Sequence, residues 1–178
     1  MASALLLIDI QNDYFPGGAM ELVGMEEASK RAAELLNSFR EKEAPAFHIQ
    51  HFSVRPGASF FLPGTSGVEI HDRVAPSGTE LVIPKNFPNA FRATDLYQSL
   101  SQSGIEEVTI CGAMSHMCVD ATVRAAFDHG LVCNVAQDAC ATRNLEHDGR
   151  VLDAADVHAA FMSALSSPYA TVANARDL

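Results

Sequence analysis

The 178-residue chain contains no apolar run approaching the ~18 residues that a membrane span needs. That excludes a helical membrane protein. It is also short of positive charge, with 12 Lys and Arg against 22 Asp and Glu, for a formal net charge of −10. Such a surface repels phosphate backbones, so nucleic acid is not an expected partner. Cysteine is sparse: only Cys111, Cys118, Cys133 and Cys140 occur, and no two are spaced as a C-x₂₋₄-C zinc knuckle. The opening "MASALLLIDIQNDYF" lacks a basic flank and is apolar for only a few residues. It reads as a buried strand and not as a signal peptide. A cytoplasmic location is therefore expected, where thiols stay reduced and the four cysteines remain unpaired. Internal repeats, linkers and low-complexity segments are absent. Residues 1–178 read as one domain.

What is present alternates. Hydrophobic residues make up 48% and charged residues 19%, a balance that supports a packed core. Ala4–Asp9 is a short continuous apolar run, as in a strand covered on both faces. Over Met25–Glu41, apolar residues recur at Ala28, Ala32, Leu35, Leu36 and Phe39, which is helical spacing. Strands are expected at Ala46–Phe52, Leu81–Pro84, Glu107–Cys111 and Leu131–Ala136, with a further one at Tyr169–Ala173. Helices are expected at Thr94–Ser101, Cys118–Asp128 and Arg150–Leu165. Residues 53–80 are rich in Pro and Gly and carry no convincing element. A loop of that length in a small domain is usually functional. Its apolar trio Phe60, Phe61 and Leu62 has to be covered, either by a partner subunit or as a pocket wall. Strands alternating with helices imply right-handed crossovers and a parallel sheet with helices on both faces.

In such sheets ligands bind beyond the carboxyl ends of the strands. Asp9 ends the first strand, Lys85 follows the third, and Cys118 follows the fourth across the loop "GAMSHM". Taken singly, each has an ordinary explanation: a cap, a solvated cation, a small buried hydrophobe. Together at three strand ends they make a site. A free thiol has a pKa of ~8.5; a helix N-terminus and an ammonium stabilise the thiolate. A carboxylate in reach can take the thiol proton, and the Cys118 amide can receive an oxyanion.

At this point "LLLIDIQNDYFPGGAM", "PKNFPNAF" and "CGAMSHMCVDATVRAAFDHG" resemble, in order, the three signature segments of the isochorismatase-like superfamily of cysteine hydrolases. The resemblance covers nearly the whole chain. It implies a three-layer α/β/α fold with a six-stranded parallel sheet in the order 3-2-1-4-5-6. It implies Asp9 as base, Lys85 as cationic partner and Cys118 as nucleophile. It also implies a cis peptide between Ala113 and Met114, and an oxyanion hole built from the Met114 and Cys118 amides. The implied reaction is hydrolysis of a C–N bond in a small amide-type substrate through a thioester, by a homo-oligomer without a cofactor. An ether hydrolase of the isochorismatase type, or a binding or redox-sensing protein using Cys118 without turnover, are the competing readings.

The chain also departs from the pattern. Nicotinamidase-type relatives hold a metal with an Asp-x-His pair after the second strand and a later His. Here that stretch reads "HIQHFSVRPG", with His48 and His51 but no carboxylate, and His71 lies further on. Two histidines three apart on a strand point to opposite faces, so no metal is expected. Tyr14 matches a pocket aromatic of relatives. Phe60, Phe61 and Phe91 are candidate apolar walls, and Gln11 a loop brace. His116 either contacts substrate or hydrogen-bonds its loop. His158 and Met162, four apart on the last helix, read as packing.

Overall fold

A computed structural model describes all of residues 1–178. The strands are β1 (Ser3–Ile8), β2 (Ala46–His51), β3 (Leu81–Lys85), β4 (Glu107–Ala113), β5 (Val132–Ala141), β6 (Leu145–His147), β7 (Arg150–Leu152) and β8 (Thr171–Ala173). The helices are α1 (Met25–Glu41), α2 (Leu96–Gln102), α3 (Asp120–Asp128) and α4 (Ala154–Leu165). Six strands form one sheet in the order β3-β2-β1-β4-β5-β8, and every pairing within it is parallel. This is the expected architecture; β8 is its sixth strand.

The apolar run of β1 explains its central place. Ala4, Leu6 and Ile8 join the core on one face of the sheet. Leu5 and Leu7 join the core on the other, as the period of two requires. The two cores hold 23 buried residues each, so both faces are equally covered. Gly112 lets β4 approach β1 closely: at φ +121°, a Cβ there would lie 2.0 Å from the Ile8 carbonyl oxygen. No helix is long and apolar enough to cross a membrane.

Three local expectations are corrected. Helical spacing in Arg150–Leu165 begins only at Ala154. The preceding residues form an antiparallel hairpin of β6 and β7, turned at Asp148 and Gly149, both with positive φ, as a type I′ turn demands. The thiol helix does not start at Cys118. A π-helical turn over Ser115–Val119 precedes α3, so Cys118 sits in a widened first turn. The long loop carries two 3₁₀ turns, Ser66–Val68 and Asp72–Val74.

Candidate active site

Asp9 directly follows β1 with a left-handed backbone, φ 51°, a region that Asp tolerates better than most residues. Its peptide N–H donates to the Ile49 carbonyl. Lys85 ends β3 in register with His51 at the end of β2. Cys118 arrives from the turn after β4. These strand ends bring four side chains together. Lys85 Nζ lies 2.7 Å from Asp9 Oδ2, 2.9 Å from His51 Nδ1 and 3.4 Å from Cys118 Sγ. An ammonium has three N–H groups, and here each has an acceptor. Asp9 Oδ1 is buried with no hydrogen-bond partner in the chain.

Burial governs the protonation states. Neither the Asp9 nor the Lys85 side chain has exposed surface. Burial works against the Lys85 charge, but the Asp9 carboxylate and the Cys118 sulfur together outweigh it and the Lys85 pKa is raised. Burial lowers His51 to about 4, with Lys85 adding to the effect, so His51 is neutral and can accept from Lys85. The Cys118 thiol is pushed far above its ordinary range, first by burial and then by the Asp9 charge; Lys85 pulls it down but does not win. The balance favours the thiol, in keeping with the expected role of Asp9 as the base that takes its proton. Sequence reasoning weighed the ammonium and the helix terminus but not the loss of water.

Above the cluster is a cavity of about 370 Å³. Tyr14, Phe60 and Phe61 line it with Phe87, Met114, Met117 and Cys118. Phe61 is fully buried, its ring centroid 4.5 Å from that of Tyr14, so the long loop packs on its own chain as a pocket wall. Asp13 anchors that wall. Its Oδ2 accepts from the Phe61 N–H at 2.6 Å and its Oδ1 from the Ala19 N–H at 3.2 Å. Gly67 is required beside it, because a Cβ there would lie 2.0 Å from the carboxylate. Gln11 braces the floor: its Oε1 accepts from the His51 N–H, and its Nε2 donates to the His51 and Val68 carbonyls.

Two expected pocket residues lie elsewhere. Phe91 is part of the apolar core, near His129. His116 does not line the cavity; its Nδ1 lies 2.6 Å from Thr142 Oγ1 and its ring packs edge-on with Phe161. The structure thus chooses the loop hydrogen bond for His116. His158 bonds Ser115 Oγ at 2.8 Å, a polar contact where simple packing was expected. The Ala113–Met114 peptide is cis, and the Met114 N–H has no hydrogen-bond partner within the chain. Thr122 Oγ1 accepts from the Ala90 N–H, locking the "PNAF" segment to the thiol helix.

Asp9, His51 and Cys118 offer ligand atoms within 4.8 Å of one another. They do not fit a divalent ion, because Lys85 Nζ contacts all three and its ammonium would face the ion at close range. His48 turns to the opposite face and pairs with Glu80 at 2.9 Å. His71 stacks on Phe15 and accepts from the Arg73 N–H. His51 is the site residue that sequence reasoning missed. Its signal was its place at the end of β2, the same criterion that singled out Asp9 and Lys85.

Comparison with known proteins agrees with this architecture. A family model described as the isochorismatase domain matches residues 3–175. The isochorismatase family protein YddQ of Bacillus subtilis (strain 168) is 53% identical over 172 residues, covering 97% of this chain and 96% of the relative. The nicotinamidase/pyrazinamidase of Mycobacterium tuberculosis is 30% identical over 156 residues, 76% of this chain and 84% of its own. A crystal structure from Oleispira antarctica, of the isochorismatase-hydrolase type, superposes with a TM-score of 0.95 at 50% identity, covering 99% of this chain and 95% of that one. With its sheet order, its strand-end cluster and its profile all in agreement, the chain belongs to the isochorismatase family of hydrolases.

Proposed function

We propose that this protein is a metal-independent cysteine hydrolase that cleaves a C–N bond of a small amide-type substrate. One observation carries the reading: Asp9, Lys85 and Cys118 meet in a buried cluster at the floor of a mainly apolar cavity. The amide-cleaving relative is in keeping with it.

The chemistry follows from the protonation states. Cys118 rests as a thiol beside Asp9, whose Oδ1 is unpartnered. As the sulfur attacks the substrate carbonyl carbon, the thiol proton passes to the Asp9 carboxylate. The carbonyl oxygen becomes an oxyanion and rests on the Met114 and Cys118 amides. Collapse breaks the C–N bond, and the nitrogen leaves with the proton from Asp9. Water then attacks the thioester, Asp9 takes its proton, and the acid is released as the thiol reforms. Lys85 holds Asp9 in place and stabilises the sulfur anion while it exists. Expulsion of water from the cluster strengthens each of these interactions.

The test is an amide panel read by ammonia release, with denatured-enzyme mass spectrometry to catch an acyl group on Cys118. The expected result is an acylated Cys118 and loss of turnover in Cys118→Ser. Full turnover after Cys118 is alkylated would favour ether hydrolysis and overturn the thioester route. Homo-oligomeric assembly is a further part of the proposal, checked by sedimentation.

A further inference from the structure

Within the strand-end cluster, Asp9 and Lys85 have no exposed side-chain surface, and only His51 and Cys118 line the cavity. Cys118 attacks the substrate. The imidazole beside it neither gives nor takes a proton in either half of the reaction, yet it faces the same space.

Hydrogen counting fixes its tautomer. The Lys85 ammonium donates through every N–H and offers no lone pair. Its Nζ lies 2.9 Å from His51 Nδ1, so Nδ1 is the bare, accepting nitrogen. Burial and the Lys85 charge keep the ring neutral, lowering its pKa to about 4. A neutral imidazole carries one N–H, and here that proton is on Nε2. The buried side-chain atoms without a partner are Asp9 Oδ1, His48 Nδ1 and Arg143 Nε. His51 Nε2 has no hydrogen-bond partner in the chain either, but it is not buried by protein atoms. It opens onto the cavity that the ring lines.

The ring is also held still. Gln11 Oε1 accepts from the His51 N–H, and Gln11 Nε2 donates to the His51 carbonyl. Lys85 grips Nδ1, and the Phe61 ring lies 5.9 Å away, centroid to centroid. An ammonium on one nitrogen polarises the ring and strengthens the N–H on the other. A donor fixed in this way meets an acceptor without reorganising. One ring nitrogen is within 4.8 Å of an acceptor atom on Asp9 and of Cys118 Sγ, so the acceptor sits close to the carbon that the sulfur attacks. The charges of Asp9 and Lys85 offset each other beneath a neutral ring, so this position suits an uncharged oxygen.

We infer that His51 is a substrate-binding residue whose Nε2–H donates to an uncharged oxygen close to the scissile carbonyl. The substrate class is then a small neutral amide with an ether, hydroxyl or carbonyl oxygen near the amide carbon. The placement over Cys118 rests on the cysteine-hydrolase reading; the donor rests on His51 and Lys85 alone.

The probes are two pairs that differ in one atom: methoxyacetamide against butanamide, and 3-methoxypropanamide against pentanamide. Turnover is read as ammonia release, and binding to Cys118→Ser by calorimetry. Both are repeated in His51→Asn and His51→Gln backgrounds. Asn can present an acceptor to Lys85 but has no N–H at the ε position, whereas Gln can reach that position with an N–H. The expected result is that at least one ether is preferred over its isostere by roughly 5- to 100-fold, since the apolar chain would leave Nε2–H covered and unpaired. The ratio should fall to about one in His51→Asn and persist in His51→Gln. Heteronuclear NMR of the imidazole nitrogens in the free protein at pH 7 should show His51 in the Nε2–H form. An Nδ1–H or doubly protonated ring, a preference that survives His51→Asn, or no binding of either ether overturns the inference. The two readings fail separately. Equal hydrolysis of ethers and isosteres removes the donor site and leaves the hydrolase. Binding of an ether that depends on His51 without any ammonia leaves the donor site and removes the hydrolase.

Discussion

Lys85 donates to Asp9 across 2.7 Å at a point where neither side chain has any exposed surface. The pair is separated by 76 positions in the chain, and each member neutralises a charge that the interior would otherwise not tolerate. Replacing Lys85 by Met strands the Asp9 carboxylate. The expected loss is about 3–5 kcal/mol, or a drop in Tm of roughly 10 °C for a chain of this size. Pairing it with Asp9→Asn should recover most of the loss. Thermal denaturation of the two variants checks this, and equal Tm values would show that the buried charge is not the cause.

Asp9→Asn separates thiol reactivity from turnover. The Asp9 charge is the second cause of the raised Cys118 pKa, after burial. Without it, only burial still opposes Lys85 at the sulfur, and the pKa falls. Iodoacetamide should then alkylate Cys118 faster at pH 7 than in the wild type. Amide hydrolysis should drop by about 10²–10⁴-fold, the usual worth of a general base. Peptide mapping with kinetics of both reactions decides; slower alkylation in the variant would contradict the assigned causes. The other thiols serve as internal controls, since burial pushes Cys133 up to about 11 and Cys140 to about 12 and neither lines the cavity.

His51 makes stability pH-dependent. Its folded pKa of about 4 lies below the ordinary 6.5, so between those values the unfolded chain binds the proton and the native state does not. Stability therefore rises with pH across the window: it is fully present above 6.5 and lost progressively down to about 4. The contribution is on the order of 2–3 kcal/mol. Urea unfolding at steps from pH 4 to 7 should show a shallower slope for His51→Gln than for the wild type. Parallel slopes would place the proton linkage elsewhere.

Asp13 ties the Phe61 wall to the glycine turn through two backbone N–H groups. Asp13→Ala leaves both donors unpaired, costing about 1.5–3 kcal/mol. It should raise KM by roughly tenfold, with a smaller change in kcat, because it loosens the wall and leaves the nucleophile in place. Steady-state kinetics on the best amide of the panel tests the split; a loss confined to kcat would point to the catalytic cluster instead.

Much of the frame was legible from local pattern. The bounds of α1 follow from the recurrence of Ala28, Ala32, Leu35, Leu36 and Phe39, because helical burial is periodic in sequence. The alternation of β1 assigns Ala4, Leu6 and Ile8 to one core and Leu5 and Leu7 to the other. The β6–β7 hairpin carries its own mark in Asp148-Gly149, but Arg150–Leu152 stand just before α4 and local pattern does not separate them from it. Phe91 is a case where pattern could not decide: an apolar side chain fits a core or a pocket equally well until the packing is known.

The sequence by itself determined the order of strands and helices, the strand ends that carry Asp9, Lys85 and Cys118, and the family motifs around them. These depend on residues near one another in the chain. The tertiary structure alone decided that Cys118 rests protonated, that His51 completes the cluster, that His116 stays out of the cavity lining and that Arg143 Nε is left unpaired. Each of those is set by burial and by distances between segments far apart in sequence, and desolvation is a property of the surroundings, which no single stretch of the chain contains.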